Sequence, residues 1–300
     1  MVGRGVAPGT CGELVQGVTS AGEHVNVACP IAVYATVEAR VAPAEVTRVT
    51  GVGAERTKMV LAARRTLSCL QAPPHQIHLD HASELQVGKG LGSSTADITA
   101  TVRAVAAGLG RPVDPGQIAA IATSIEASDG TMFPGVDAMA RDTGRIVRRF
   151  GWAPRFVITM VVPPTTLDTG SVEVSGKVGL AAEYDAMLDR LELAAEARDA
   201  RAFAVEATRS AAMNQAVVPN ANHALLVAML PGFAALGVVV GHTGTVAGLL
   251  FAADEDGSGA AAAAAVELRR VLPDSTRVEV VRTPPDAAPA DAGQARRSRR

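Results

Sequence analysis

The sequence predicts an α+β protein of two successive domains, residues 1–153 and 154–283, followed by a basic tail. Segments with alternating β-branched residues, typical of strands, are mixed with segments whose apolar residues recur at helical spacing. A continuous apolar strand at 156–162 begins just after Pro154, which places the domain boundary near residue 153. A glycine-rich turn at 88–92 opens a long helix, and we take this turn as the centre of the N-terminal domain.

Composition places the chain among globular proteins and excludes several classes of partner. The 300 residues are 48% hydrophobic, 19% charged and only 3% aromatic, so the core must consist mainly of Ala, Val and Leu. A formal net charge of −2 argues against nucleic-acid or anionic-membrane partners. The sequence contains no run of about 18 apolar residues, so no membrane span is predicted. Cys11, Cys29 and Cys69 lack C-x-x-C spacing, which favours a reducing cytoplasm over disulfides or a zinc site.

The N-terminal domain is predicted to begin with strands and to continue with helices. Glycine and proline residues end each helix in this half of the chain. In order, the predicted elements are strands within 6–42, a helix at 55–71, a strand at 76–80, a helix from Ser93 to Gly108, a helix from Pro115 to Ser128 and a hairpin at 144–147.

The C-terminal domain is predicted to continue the α+β pattern. Its elements are a strand at 156–162, a connector at 163–170, helices at 178–198, 200–217 and 223–230, two strands around a glycine turn at 236–251, a helix at 260–271 and a strand at 277–282. The tail at 284–300 is rich in Pro, Ala and Arg and is predicted to be disordered and solvated.

The glycine-rich turn has the chemistry of a phosphate site. Three alternating glycines allow a backbone with positive φ that can approach a ligand closely. Hydroxyl side chains follow at the predicted N-cap, where free N–H groups and the helix dipole attract an anion. The spacing matches neither the P-loop nor the dinucleotide fingerprint. The predicted phosphate ligands are Gly88, Lys89, Gly90, Leu91, Gly92, Ser93, Ser94 and Thr95.

A second informative patch follows the helix predicted at 115–128. Glu126 comes after a mostly apolar run, and a carboxylate there is unfavourable unless it is paired or binds a metal. Asp129 and Asp137 follow it, and either could be a turn residue or a solvated carboxylate rather than part of a site.

Three motifs in order resemble those of the GHMP kinase superfamily, and they span most of the chain. G-L-G-S-S-T-A-D at 90–97 resembles the central motif, with Gln86 where the usual proline would stand. P-G-T-C-G-E-L-V-Q-G at 8–17 resembles the first motif, and G-H-T-G-T-V-A-G at 241–248 resembles the third. The details are most similar to the L-threonine kinase branch, which serves cobalamin side-chain assembly. Ala127 and Met139-Ala140-Arg141 depart from that branch, which carries proline and F-D-H there.

The resemblance implies a fold and a set of site residues. The fold would be a ribosomal-S5-like N-terminal domain with a ferredoxin-like C-terminal domain. ATP would lie on the glycine turn, and Ser94 with Glu126 would hold Mg²⁺. The first and third motifs would bind the acceptor, although Cys11 could equally be buried and a lone histidine is often structural. The implied acceptor residues are Cys11, Gly12, Glu13, Gln16, His242, Thr243 and Gly244.

The catalytic base is left open between two aspartates. Gly135-Val136-Asp137 fits the superfamily pattern that follows the metal-binding glutamate, whereas Asp129 fits the threonine kinase branch. Lys89 is the third candidate catalytic residue, as a cation beside the phosphates. Some GHMP kinases use no base, because phosphoryl transfer depends mainly on positioning and charge stabilisation.

The resemblance implies ATP-dependent phosphorylation of a small hydroxylated molecule, with L-threonine as the first choice of acceptor. Two alternatives stay open: a kinase for another hydroxylated amino acid or specialised metabolite, and a non-catalytic ATP-binding regulator. An intact Ser94/Glu126 pair argues against the regulator. A homodimer is compatible with all three hypotheses, and neither nucleic acid nor membrane is expected as a partner.

Overall fold

The computed structural model describes residues 1–167 and 179–285, and within them it forms one large sheet flanked by helices. The strands are β1 Val2–Val18, β2 His24–Pro43, β3 Arg48–Thr50, β4 His75–Ser83, β5 Ala138–Ala140, β6 Ile146–Arg148, β7 Phe156–Val162, β8 Gly237–Val240, β9 Ala247–Ala252 and β10 Arg277–Arg282. The helices are α1 Thr57–Cys69, α2 Ser93–Gly108, α3 Pro115–Thr123, α4 Ala181–Glu196, α5 Ala200–Asn214, α6 His223–Met229 and α7 Glu255–Val271.

The sheet runs in the order β10-β7-β9-β8-β1-β2-β4-β3, with the β5–β6 hairpin attached to β2. Most neighbouring strands pair antiparallel, and β3 with β4 is a parallel pair. Helix α2 packs on β1 and β2, while α5 packs on β8 and β1. The α+β class predicted from the sequence is therefore confirmed.

The first motif lies where strands from the two halves of the chain meet. Strand β1 carries register shifts between Thr10, Glu13 and Val15, and Glu13 pairs with Val240 of β8. Gly12 lies at this irregular point with φ of +62°, and a Cβ atom there would lie 2.2 Å from the carbonyl oxygen of Val240. Only glycine combines this backbone conformation with so close an approach of a second strand.

The core is built mainly from aliphatic side chains, as the composition predicts. Buried Ala, Val, Leu and Ile side chains fill the space between the sheet and its helices. The few aromatic residues add a compact group in which the rings of Phe150 and Trp152 meet Phe203 edge to face, with centroids 6.0 and 5.7 Å away. This packing joins the β6–β7 connection to helix α5.

Two predicted helix boundaries are wrong by five residues each. Helix α3 ends at Thr123 rather than Ser128, because the Ser124 hydroxyl donates to the carbonyl oxygen of Ile121 (2.6 Å) and competes with continued helical bonding. Glu126 therefore lies in the following loop. Helix α7 begins at Glu255 rather than residue 260, because the Asp254 side chain caps it at the Gly257 N–H (2.7 Å).

Other expectations stay open or are confirmed. Strands at 156–162 and 277–282 are confirmed, and the hairpin return predicted at 144–147 is observed as the turn and second strand of the β5–β6 hairpin. Part of the predicted connector, from residue 168 onward, and the basic tail from residue 286 lie outside the described residues. The domain boundary at 153 stays a prediction. In the described part of the chain, no helix combines the length and the apolar character needed to cross a membrane.

Gly12→Ala should lower the free energy of unfolding by about 2–5 kcal/mol, since it adds left-handed backbone strain and a clash with β8. Urea denaturation monitored by circular dichroism measures this change. Gly22→Ala is the matched control, because Gly22 also has positive φ (+78°) but nothing lies within 4 Å of its added Cβ. The control should cost only about 1–2 kcal/mol, and equal losses for both variants would contradict the role given to the strand contact.

Candidate active site

The glycine-rich turn presents the N-terminus of α2 as an open group of N–H donors. Gly88, Gly90 and Gly92 have φ values of +74°, +83° and +62°, which explains the alternating glycines. Gly92 is the N-cap and no side chain caps the helix, so the expectation of hydroxyl side chains at the N-cap was wrong. Ser93, Ser94 and Thr95 instead form the first turn, and their N–H groups stay available for an anion.

The turn is held from both sides by the backbone of the other two motifs. The Gly12 N–H donates to the carbonyl oxygen of Gly90 (3.2 Å), and the Val246 N–H donates to that of Lys89 (2.8 Å). Gly244 packs so closely that a Cβ atom on it would lie 2.4 Å from the Gly90 Cα. The three motifs, which are far apart in sequence, therefore meet at one junction.

The ammonium group of Lys89 is bound by backbone carbonyl groups instead of lining the cleft. Its Nζ donates to the carbonyl oxygens of Pro163 (2.9 Å), Pro164 (2.5 Å) and Thr165 (2.7 Å), and Lys89 is 6% exposed. Lys89 does not line the cleft. Its backbone belongs to the predicted phosphate loop, whereas its charge ties that loop to the segment after β7.

A cleft of about 460 Å³ opens in front of the turn. It is enclosed by the loop and first turn of α2, by the loop after α3, and by single residues from β1, α1 and the third motif. The residues lining it are Glu13, Lys58, Val87, Gly88, Gly90, Leu91, Gly92, Ser93, Ser94, Thr95, Glu126, Ala127, Asp129, Arg141, Thr166, Leu167 and Thr243. A cleft of this size accommodates a small-molecule ligand.

Ser94 and Glu126 meet at the mouth of α2. The Ser94 hydroxyl donates to Glu126 Oε1, and Lys58 Nζ contacts both Glu126 Oε2 (2.6 Å) and Ser94 Oγ (3.2 Å). A cation therefore already lies against this hydroxyl–carboxylate pair. The donor set suits Mg²⁺, which takes one or two carboxylates together with phosphate oxygens. Among the described residues, no three His, Cys, Asp or Glu side chains form a metal cluster independent of a nucleotide.

Asp129 lies in the cleft, close to the same pair. Its Oδ1 accepts a hydrogen bond from Asn26 Nδ2 (2.9 Å), and its N–H donates to Thr95 Oγ1 (3.3 Å). Burial raises the pKa of Asp129 to about 7, and the charges of Glu13 and Glu126 act in the same direction. The Asn26 hydrogen bond and the charge of Arg141 oppose this rise. The pKa of this carboxyl group is therefore close to neutral pH, which suits a general base.

Asp137 lies elsewhere. It is 6% exposed, its Oδ1 accepts the Phe150 N–H (2.9 Å), and it is not among the residues lining the cleft. This hydrogen bond ties the start of the β5–β6 hairpin to the segment that leads into β7. Of the two aspartates that the sequence leaves open, the structure brings Asp129 alone to Glu126 and Ser94.

Glu13 and His242 form a buried pair at the back of the cleft. Glu13 Oε2 lies 2.8 Å from the His242 N–H and 3.1 Å from His242 Nδ1, while His242 Nε2 lies 2.8 Å from Ser210 Oγ. Burial opposes ionisation of Glu13, but the hydrogen bonds and charge of His242, together with the charge of Arg141, outweigh it, and the pKa of Glu13 is lowered. Glu13 and Thr243 reach the cleft, whereas His242 is fully buried behind them.

The remaining residues of the first motif lie in the core. Cys11 is fully buried, and burial raises the pKa of its thiol well above the usual value, so it is unsuited to nucleophilic chemistry. Gln16 is 3% exposed, and its backbone N–H donates to Ser210 Oγ (3.3 Å). Neither side chain lines the cleft, while Gly12 contributes through its backbone contact with the loop.

Three residues near the cleft were not predicted as site residues. Asn26 is a buried amide within an apolar alternation on β2, and that interruption was its only sequence signal. Lys58 is the second residue of α1 and is exposed like the other basic residues of that helix, so nothing in the pattern distinguishes it. Arg141 replaces the histidine of the threonine kinase motif, and this departure was its signal.

The cleft combines a helix N-terminus open to an anion, a hydroxyl–carboxylate pair and a carboxyl group whose pKa is close to neutral pH. This combination is suited to phosphoryl transfer. Comparison with known proteins agrees with this chemistry. The family profile described as "GHMP kinases N terminal domain" matches residues 57–140. The chain is 30% identical over 250 residues to an L-threonine kinase of Citrobacter freundii, covering 81% of this chain and 84% of that protein. The chain belongs to the GHMP kinase family.

Other similarities agree with this assignment. An L-threonine kinase of Salmonella typhimurium is 29% identical over 81% of each chain. The fold matches that of mevalonate kinase from L. major in complex with R-mevalonate, with a TM-score of 0.71, 15% identity and coverage of 95% of this chain and 97% of that one. Homoserine kinase from Cytophaga hutchinsonii matches with a TM-score of 0.67, 16% identity and coverage of 93% and 94%. The enzyme class is that of ATP-dependent phosphotransferases acting on hydroxyl groups.

Asp129→Asn should stabilise the protein more at pH 8 than at pH 5. The raised pKa of Asp129 means that the folded state binds a proton more tightly than the unfolded chain, so stability falls as pH rises from about 4 through about 7. The side-chain amide of the variant does not ionise, so this loss of stability does not occur, and its oxygen still accepts the hydrogen bond from Asn26. The gain of the variant over the wild type should grow by about 2 kcal/mol between the two pH values in urea denaturation.

The matched control for this experiment is Asp142→Asn. Asp142 lies on the surface, with a side chain 58% exposed, and its contact is with His24 at 3.5 Å. Its substitution should leave the pH dependence of stability unchanged. If Asp129→Asn also shows no pH-dependent gain, the carboxyl group is already ionised at pH 5 in the folded protein and the assignment of its pKa is wrong.

Proposed function

We propose that this protein is an L-threonine kinase, which transfers the γ-phosphoryl group of ATP to the threonine hydroxyl and forms O-phospho-L-threonine and ADP. The class of reaction follows from the family. L-Threonine is proposed as the acceptor because both L-threonine kinases are matched over 81% of this chain. The observation that carries the proposal is the Ser94–Glu126 pair at the mouth of α2, with Asp129 in the same cleft.

In this proposal the polyphosphate of ATP binds the glycine turn and the first turn of α2. The N–H groups of Ser93, Ser94 and Thr95 are directed donors, and the partial positive charge of the helix N-terminus adds to them. Positive φ at the loop glycines brings the backbone close enough for these contacts. Lys89 supports the loop from behind, through the carbonyl groups after β7.

Ser94 and Glu126 are the residues that would hold Mg²⁺. When bound, the metal neutralises charge on the phosphate oxygens during transfer. Lys58 lies against the same pair and is proposed to contact a phosphate oxygen of the bound nucleotide. Its ammonium group would then leave the Glu126 carboxylate and pair with the phosphate.

Asp129 is the proposed base. It accepts the proton of the acceptor hydroxyl while that oxygen forms a bond to the γ-phosphorus and the bond to the ADP oxygen breaks. A pKa near 7 lets it act at neutral pH. Glu13 and Thr243 are proposed acceptor contacts, with His242 holding Glu13 in place. Asp137 and the side chains of Cys11, Gln16 and Lys89 have no direct part in this mechanism.

Two cleft residues keep a second class of acceptor open. Ala127 and Arg141, at which the sequence departs from the threonine kinase pattern, both line the cleft, so another hydroxylated amino acid such as serine or homoserine is the second candidate. A cytoplasmic location is proposed from three free cysteines, and the link to cobalamin side-chain assembly is proposed from the relatives alone.

ADP release measured with a panel of L-threonine, L-serine, L-homoserine and mevalonate tests the function. The highest kcat/KM is expected for L-threonine. Ser94→Ala and Glu126→Gln should each lower kcat by about 10²-fold or more, because each removes a contact to the charge that develops during transfer. Ser68→Ala is the control and should leave kcat unchanged, because Ser68 is exposed near the end of α1 and does not line the cleft.

The outcomes of this assay separate the candidates. Turnover with another acceptor alone would replace L-threonine in the proposal. Tight ATP binding without turnover on any acceptor would instead favour the non-catalytic regulator. Full turnover by a Ser94→Ala/Glu126→Ala double variant would contradict the placement of the phosphoryl-transfer site.

Lys58→Met should raise the KM for ATP by about 10-fold, through loss of one charged contact to phosphate. The KM for the amino acid acceptor should change little, which separates the two substrates in steady-state kinetics. Arg64→Met is the matched control, because Arg64 is an exposed cation on the same helix. An unchanged KM for ATP in Lys58→Met would show that Lys58 serves only as a partner of Glu126 in the free protein.

A further inference from the structure

We propose that Arg141 selects acceptors that carry a carboxylate, by pairing its guanidinium with the α-carboxylate of the amino acid. The inference rests on the proposed function and adds to it a named specificity residue. It starts from an arginine that lines the cleft and from the groups that surround it.

The backbone of Arg141 is fixed between two elements of the site. Its N–H donates to the carbonyl oxygen of His24 (2.9 Å) at the start of β2, and its carbonyl oxygen accepts the Ser128 N–H (3.0 Å). Ser128 directly precedes Asp129, so the arginine and the proposed base are held in register by one short hydrogen bond. Arg141 and Asp129 both line the cleft.

The N–H donors of the Arg141 guanidinium are unused among the described residues. Within residues 1–167 and 179–285 it makes no hydrogen bond or ion pair, although its side chain is partly buried. The two lysines nearby differ, because Lys58 is paired with Glu126 and Lys89 is bound by three carbonyl oxygens. A partly buried arginine with unused donors is suited to an anionic ligand, and its planar fork matches a carboxylate in bidentate geometry.

The neighbours of Arg141 favour an amino acid over a second phosphate. Burial is the largest influence on the pKa of both Glu13 and Asp129, and the charge of Arg141 lowers both pKa values, which places it near the two carboxyl groups. Phosphate would meet repulsion from these carboxylates. A zwitterion fits both signs, with its carboxylate on Arg141 and its ammonium group near Glu13, whose two hydrogen bonds with the N–H and Nδ1 of His242 both engage Oε2.

The test compares L-threonine with L-threoninamide, which keeps the hydroxyl and ammonium groups and lacks the carboxylate. The wild type should prefer L-threonine by about 10²-fold in kcat/KM, because the amide leaves a partly buried cation without its partner. Arg141→Met should lower kcat/KM for L-threonine by about 10²-fold and leave that for the amide nearly unchanged, so the preference disappears. Arg141→Lys should restore part of it, since a lysine supplies charge without the planar fork.

The control variant is Arg145→Met. Arg145 lies four positions along the chain, its side chain is 59% exposed, and it pairs with Glu23 away from the cleft. It should keep the wild-type preference, and the KM for ATP should be unchanged in both Met variants. Thermal denaturation establishes that each variant is folded before kinetics are compared.

The possible failures are distinguishable. A wild-type enzyme that phosphorylates L-threonine and its amide equally well overturns the role of Arg141 and leaves the kinase proposal intact. An Arg141→Met variant that loses activity on both acceptors to the same extent, with a raised KM for ATP, shows that the arginine acts on the phosphates instead. A wild-type enzyme that phosphorylates no amino acid overturns the proposed function and this inference together.

Discussion

The site depends on a main-chain junction between the glycine turn, strand β1 and the turn that joins β8 to β9. The carbonyl oxygens of Gly90 and Lys89 are held by N–H groups of Gly12 and Val246, and Gly244 packs directly on Gly90. Backbone bonds fix a loop more rigidly than side chains do, because they carry no rotamer freedom of their own. The loop can therefore hold several positive φ values and still present the first turn of α2 in one orientation.

Two carboxyl groups near that junction, Glu13 and Asp129, differ in how far hydrogen bonds and nearby charges offset the effect of burial on their pKa values. The pKa of Glu13 is lowered because the hydrogen bonds and charge of His242 and the charge of Arg141 together outweigh burial. For Asp129, burial is only partly compensated and the pKa rises to about 7. The two carboxyl groups share one cleft and yet have opposite shifts. Such a separation lets one act as a fixed charge and the other as a proton acceptor at the same pH.

Much of this arrangement could be predicted from the sequence, because it depends on local pattern. The alternating glycines, the helix that follows them and the three motifs fixed the loop and the α+β class. The choice between Asp129 and Asp137 could not be made, because it depends on where the loop after α3 lies relative to α2. Asn26, Lys58 and Arg141 enter the cleft from three separate elements, and their proximity is created only by the tertiary fold.

The position of Lys89 has a consequence for how the loop discriminates among anions. With its ammonium group bound to the carbonyl oxygens of Pro163, Pro164 and Thr165, the glycine turn offers directed N–H donors rather than a mobile positive charge. Attraction between free charges is weakened as ionic strength rises, whereas short hydrogen bonds in a partly enclosed cleft are screened much less. In the proposed complex, recognition at this loop would therefore depend on the shape of the oxyanion more than on its total charge, and salt would affect it weakly.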